Sequence, residues 1–186
     1  GYFHEASIGV NKAILDLSGK LFDEVSKDKD LNCFYSMGAG AAYYFAKKRN
    51  VFFYEQNRLS SIINKALISL YGKPYKFNEE FEEAEVSFSA PPFGLKVRDG
   101  YNPVGIFAPL NEDDESKLIK DVHSKLIYLS HVNTKNTTIA ITNLGTLWTK
   151  NNGINYFRKL IIENNWLEAV IKLPSNLMSH TAIPIA

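Results

Sequence analysis

Apolar positions recur along the chain in two alternating registers. Between residues 8 and 27, Ile8, Val10, Ile14, Leu17, Leu21 and Val25 fall at three- and four-residue steps among acids and lysines. That spacing predicts an amphipathic helix. After the polar break Ser26–Asp30, Leu31–Tyr35 is a short, nearly continuous apolar run, as expected of a strand covered on both faces of a parallel sheet. Met37–Ala42 turns the chain into a short helix over 41–49, and Val51–Tyr54 is a second strand tipped by Glu55. Asn57 can cap a helix to Tyr71 whose Leu59, Ile62, Ile63, Ala66, Leu67 and Leu70 share one face; Gly72 stops it.

Tyr75–Asn78 reads as a third short strand, and the acids of Glu79–Glu85 as a solvated turn. Val86–Phe88 is a strand, ended by two prolines that cannot donate to a ladder. Residues 95–112 carry no period and predict a long loop. Asp113–Glu115 opens a helix, with acids at its positive end, that Leu118, Ile119, Val122, Leu126 and Leu129 carry to about His131. Thr137–Thr142 is strand-like, Asn143–Gly145 turns, and Ile154, Phe157, Leu160 and Ile161 mark another helix. Trp166–Leu173 is a further strand, closed by Pro174.

Strands alternating with helices at short spacings predict an α/β fold: a doubly wound, mainly parallel sheet with helices on both faces. Leu31–Tyr35, Val51–Tyr54, Val86–Phe88, Ile139–Thr142 and Ala169–Leu173 are its expected strands. Length predicts a single domain, with residues 1–30 as a helical segment packed on the sheet and residues 31–186 as the α/β body. Thr181–Ala186 is apolar and strand-like with no terminating turn, so the fold is expected to be incomplete at the C-terminus.

Composition narrows the function only by exclusion. The 45% hydrophobic and 22% charged fractions are those of an ordinary globular protein. A net charge of +1 supplies no strong field toward nucleic acid, so a DNA role would need a local basic patch or a partner. Lys47–Arg49 is such a patch, small enough to be solvated surface. The single cysteine, Cys33, excludes an internal disulfide framework and any CxxC metal site, and favours a reducing, cytoplasmic setting. No apolar run approaches the ~18 residues of a membrane span. His4, His123, His131 and His180 are scattered without metal-ligand spacing, and no G-x-S-x-G elbow points to a hydrolase.

Two places carry candidate chemistry. Gly38 and Gly40 follow the first strand, where a glycine turn lets backbone N–H groups approach a ligand closely; a tight turn without a ligand uses the same residues. Glu55, at the tip of the next strand, can accept both hydroxyls of a ribose. A nicotinamide dinucleotide fits less well, because Tyr43 falls where the third glycine of G-x-G-x-x-G belongs. The second place is the stiff corner Ser89–Gly94, which presents Phe93 just past Pro91 and Pro92.

That order of parts, with Asn143–Leu147, Tyr156–Leu177 and Thr181–Pro184 downstream, resembles the adenine-specific amino-methyltransferases of DNA. The resemblance is strongest to the modification subunit of type I restriction-modification systems. It runs loosely over residues 31–94 and closely over 137–186, with Glu168–Asn176 its most specific part. It implies a Rossmann-like methyltransferase fold, S-adenosylmethionine as cofactor, DNA as substrate, and specificity and restriction subunits as partners. By the same resemblance Gly38, Gly40, Glu55 and Asn78 would hold the cofactor. Ala90, Pro91, Pro92 and Phe93 would occupy the family's Asn-Pro-Pro-Phe corner. Two departures stand out: Ala90 where the family has asparagine, and Phe34 where it has the cofactor-binding aspartate. They imply impaired methyl transfer, or a non-catalytic module that keeps the fold to bind a partner subunit or nucleic acid.

Overall fold

Short parallel strands build the sheet. The computed structural model describes residues 10–27, 30–34, 41–54, 58–70, 75–77, 84–91, 114–174, 177 and 185–186. Its strands are β1 (Asp30–Phe34), β2 (Asn50–Tyr54), β3 (Tyr75–Phe77), β4 (Ala84–Ser89) and β5 (Thr134–Ala140). They lie in the order β3-β2-β1-β4-β5, and every neighbouring pair is parallel. The helices are α1 (Lys12–Val25), α2 (Ala41–Ala46), α3 (Arg58–Ser69), α4 (Asp114–Leu118), α5 (Val122–Val132), α6 (Gly145–Trp148) and α7 (Asn152–Glu163). Helices join β1 to β2, β2 to β3 and β4 to β5.

Side chains alternate across the sheet, so each face has its own core. Leu31, Cys33, Val51, Phe53, Val86 and Phe88 meet α1 and α2 on one face. Phe34 and Tyr54 meet α5 and α7 on the other. Phe22 and Phe45 join edge to face at 5.7 Å between helices α1 and α2, and Phe45 reaches Phe88 of the sheet at 5.2 Å. The buried guanidinium of Arg49 ties the end of α1 to the turn before β2. It donates to the Asp23 carboxylate at 3.1 Å and to the Ser26 carbonyl at 3.4 Å. Asp16 of α1 accepts from Lys12 and from the Tyr44 hydroxyl. Lys12 and Tyr44 hold that carboxyl below its usual range, and the bond pushes the Tyr44 phenol up to about 12.

The elements depart from the sequence reading in instructive places. The α1 stripe is rotated: Ile14, Leu15, Ser18 and Phe22 are buried, while Leu17 and Leu21 are half-buried and Val25 is exposed. The expected helix over residues 113–131 is two helices. Asp121 breaks it by accepting the Ser124 N–H at 2.8 Å and the Ser124 hydroxyl at 2.7 Å, which caps α5 and starts a new helix. β4 begins at Ala84, so Glu85 belongs to a strand rather than to the acidic turn, and β5 runs earlier than Thr137–Thr142. The loop over 95–112 and the Asn57 cap lie outside the described residues.

The largest departure is Trp166–Leu173, which forms no strand among the described residues. Helix α7 ends in a tight cap. Asn165 takes the left-handed conformation (φ 54°), its N–H donates to Ile162, and the Trp166 N–H donates to Ile161. The chain then leaves along β5 at a distance, with Leu167, Val170 and Ile171 exposed. At its end the Leu173 N–H donates to the Ile185 carbonyl at 3.1 Å. Among the described residues no strand adjoins this apolar run, so it has no ladder to complete and the expected β geometry is not reached.

Two tests probe these contacts. A Cβ on Gly153, in the first turn of α7, would stand 2.8 Å from the Asp121 backbone nitrogen and 3.0 Å from the Lys120 backbone nitrogen. Gly153→Ala must therefore separate α7 from the start of α5, and should lose roughly 1–3 kcal/mol in urea denaturation. The His131 ring lies 4.8 Å from Trp166, and burial depresses its pKa while Glu168 pulls the other way. A depressed histidine contributes stability that is present above its ordinary value of 6.5 and lost as pH falls through the folded value. The chain should thus weaken below about pH 6.5, and His131→Gln should flatten that part of the stability–pH curve.

Candidate functional site

In an open parallel sheet a ligand sits outside the carboxyl ends of the strands, where the strand order reverses. Here the reversal lies between β1 and β4, since the chain runs outward from β1 to β3 and then returns to the other side of β1. The residues at that edge are Phe34 on β1, Tyr54 on β2, and Ser89, Ala90 and Pro91 on and after β4.

Register brings them together. Phe34 is opposite Tyr54 on one side and Ser89 on the other. The Ala90 N–H donates to the Phe34 carbonyl at 3.1 Å, and the Ile141 N–H donates to the Ser89 carbonyl at 2.9 Å. The ladder thus extends one residue past β4 before the prolines end it. Phe34 is fully buried, and its ring stacks on that of Tyr54 with centroids 5.0 Å apart and planes 16° from parallel. The pair belongs to one buried cluster with Ile119, Val122 and Leu126. Ala90 points its methyl to the opposite face, into the core with Val86 and Phe88, and is also fully buried.

Ser89 has its hydroxyl engaged. Ser130 donates its one hydroxyl hydrogen to the Leu126 carbonyl at 2.8 Å, so Ser89 donates to Ser130 at 2.9 Å. A second hydroxyl pair, Ser87 with Thr138 at 2.8 Å, joins β4 to β5. Neither pair offers a free polar group to the strand ends. The described residues at this edge therefore present no carboxylate and no side-chain amide.

Of the candidate residues, Ala90 and Pro91 stand at this edge together with Phe34, and both are buried. Gly38, Gly40, Glu55, Asn78, Pro92 and Phe93 lie outside the described residues; in sequence, Glu55 directly follows β2 and Asn78 directly follows β3. Tyr54 is the residue that the sequence reading missed. Its signal was an aromatic near the end of each of two apolar runs, Phe34 and Tyr54, which parallel pairing in register brings side by side. Among the described residues no three of His, Cys, Asp or Glu group as a metal site. No described helix is long and apolar enough to cross a membrane.

Two solved structures share the fold. A Listeria monocytogenes protein described as a class I S-adenosylmethionine-dependent methyltransferase superposes with a TM-score of 0.67 at 13% identity, covering 99% of this chain and 61% of that one. A protein described as a methyltransferase and solved with SAH superposes at 0.51 and 14% identity, covering 96% and 49%. At those identities the likeness is one of fold. The chain spans less than two thirds of either protein. No curated protein sequence matches it significantly. The family model for N-6 DNA methylase matches residues 74–186, more than half of the chain. The chain belongs to the N-6 DNA methylase family.

The match takes in β4, the Ala90–Pro91 corner and everything after it, and leaves out β1 and β2. Phe34 and Tyr54, on β1 and β2, thus lie outside the matched residues. Phe34→Ala should lose about 3–5 kcal/mol by emptying that cluster. Phe34→Asp should lose more at pH 7 than at pH 4, because only the ionised carboxyl pays the full cost of burial. Urea denaturation at the two pH values separates these outcomes; equal losses would place position 34 in contact with solvent.

Proposed function

We propose that this chain is the methyltransferase-fold part of a type I restriction-modification modification subunit, with DNA adenine as its ancestral substrate and S-adenosylmethionine as its cofactor. In this reading it binds the cofactor weakly and transfers methyl groups poorly or not at all. It works in the cytoplasm beside specificity and restriction subunits, and its residues 1–30 and 31–186 form one domain. The observation that carries the impairment is the buried stack of Phe34 on Tyr54 at the end of β1.

Both ends of the site are affected. The cofactor's amino acid end carries an ammonium, which needs an acceptor when removed from water. A ring buried in an apolar cluster with Ile119 and Val122 accepts nothing, so the described strand ends do not fit that group. Gly38, Gly40, Glu55 and Asn78 are the residues left to hold it, Glu55 through a ribose. When bound, the cofactor supplies an electrophilic methyl group. Losing the partner of a charged group outweighs one retained ribose contact.

The adenine end is similarly diminished. An adenine amino nitrogen is a poor nucleophile because its lone pair is delocalised into the ring. A flipped base could stack on Phe93 and give one amino hydrogen to the Pro91 carbonyl. The second hydrogen needs a side-chain acceptor at position 90, and the Ala90 methyl offers none. By analogy with removing one preorganised group from a reacting centre, that loss costs roughly 3–4 kcal/mol, or 100- to 1,000-fold in rate. A second reading follows from the same residues: a non-catalytic module whose strand ends have been given over to packing, and which binds a partner subunit or nucleic acid.

Calorimetry with S-adenosylmethionine tests the assignment. Binding should be undetectable or weaker than about 1 mM, near the limit of −4 kcal/mol. Phe34→Asp should tighten it if the variant remains folded, and methyl transfer to adenine should appear only when Ala90→Asn is added. Micromolar affinity in the unaltered chain would overturn the impaired reading in favour of an active enzyme.

A further inference from the structure

The segment from Thr142 to Gly153 crosses the carboxyl-end edge of the sheet. Thr142 directly follows the ladder, since the Ile141 N–H still bonds to Ser89 of β4. His123, in the first turn of α5, reaches Thr142 there, Nε2 to Oγ1 at 3.0 Å. The far end of the segment returns to the same place. Gly153 packs so closely on Asp121, the residue that caps α5, that a Cβ would meet its backbone nitrogen at 2.8 Å. Helix α6 lies between these two anchors, so Trp148 stands at the edge that also carries Phe34, Ala90 and Pro91.

Trp148 is 64% exposed, the one exposed aromatic residue among the described residues. A single apolar side chain in water needs no explanation, but the bracing of this one does. The Arg158 guanidinium donates to the two carbonyls that bracket it, Thr146 at 2.8 Å and Thr149 at 2.7 Å. Thr142 donates its hydroxyl to that of the buried Thr146 at 2.8 Å, and the Asn143 carboxamide oxygen accepts the Thr146 N–H at 3.2 Å. The Thr149 N–H closes the turn on the Gly145 carbonyl at 2.8 Å. The backbone under the indole is thus fixed while the ring is left in solvent, as expected of a group held for contact with something outside the chain.

Charge indicates the kind of contact. The whole chain carries only +1, yet residues 122–162 hold Lys125, Lys135, Lys150, Arg158 and Lys159 and no acid. Lys150 is exposed two residues past the indole. A flat ring beside a cation, in a stretch without carboxylates, suits a nucleobase and its phosphate. We propose that Trp148 is a stacking platform for an unpaired DNA base at the strand-end edge, with Lys150 meeting the adjoining phosphate. This rests on DNA being the substrate, as proposed above, and adds the surface that receives the strand. The base on Trp148 is not the target adenine, which that reading gives to Phe93. Stacking needs neither the cofactor nor an acceptor at position 90, so the platform serves a catalytic and a non-catalytic chain alike.

The test titrates the full chain at about 50 mM salt with two fluorescein-labelled strands. One is an oligodeoxyadenylate of about twelve nucleotides; the other is an abasic strand of equal length, which keeps the phosphates and lacks the rings. Anisotropy gives the affinities, and tryptophan emission reports stacking. The oligodeoxyadenylate should quench that emission and the abasic strand should not. Trp148→Ala should weaken oligodeoxyadenylate binding roughly 5- to 100-fold, abolish the quench and leave abasic binding unchanged, whereas Trp148→Phe keeps most of the affinity. Trp166, packed 4.8 Å from His131, remains as an internal reference. Circular dichroism checks the fold; should Trp148→Ala disturb it, Trp148→Leu keeps apolar bulk without a ring and carries the test. If the ring-less variant binds as the unaltered chain does, or loses both strands equally, the platform is overturned and the DNA reading stands. If neither strand binds the unaltered chain, the DNA reading falls with it. Tryptophan emission that shifts with protein concentration in the absence of DNA also overturns the platform, because a second copy would then cover the indole.

Discussion

A parallel sheet must be covered on both faces, and every other feature of this chain follows from meeting or missing that demand. At the centre it is met. β1 and β4 bury nearly all of their residues, with α1 and α2 on one side and α5 and α7 on the other. Hydroxyl pairs such as Ser89 with Ser130 show how completely water is excluded there: a polar side chain inside the sheet must find its partner across the layer. Toward β5 the demand is met only in part, and apolar residues such as Leu17 and Leu21 stay half-buried there.

The central strands were legible because burial on both faces leaves an apolar run that needs no alternation to identify it. Leu31, Cys33, Val51, Phe53 and Phe88 announce their strands in this way. Edge strands were not legible to the same precision. β5 contains Lys135 and Asn136, both exposed, and their polarity pushed the expected start to Thr137. The Ile119–Asp121 break was hidden because apolar spacing continues through it; only the local bond from Ser124 to Asp121 stops the helix. Trp166–Leu173 has the composition of a strand, but strand formation depends on a neighbour, and composition does not supply one.

The candidate site divides along the same line. That Phe34 and Ala90 depart from the family's residues is visible in the sequence alone. That they face opposite cores, tied to each other by a single backbone bond, is a matter of register and alternation. The stack of Phe34 on Tyr54 joins residues on different strands, and no local pattern encodes it.

That stack sets the needs of folding and of ligand binding against each other at one position. An aromatic ring at residue 34 adds cohesion to the layer beneath α5 whether or not any ligand is present. A carboxylate there would be satisfied only while a cation was bound, and would strain the empty protein. Substitutions at Phe34 that favour recognition are therefore opposed by the chain's own cohesion, whereas Ala90 lies in a different core and is free of that particular conflict. Position 34 is the harder of the two to reverse: a ratchet tooth made from packing.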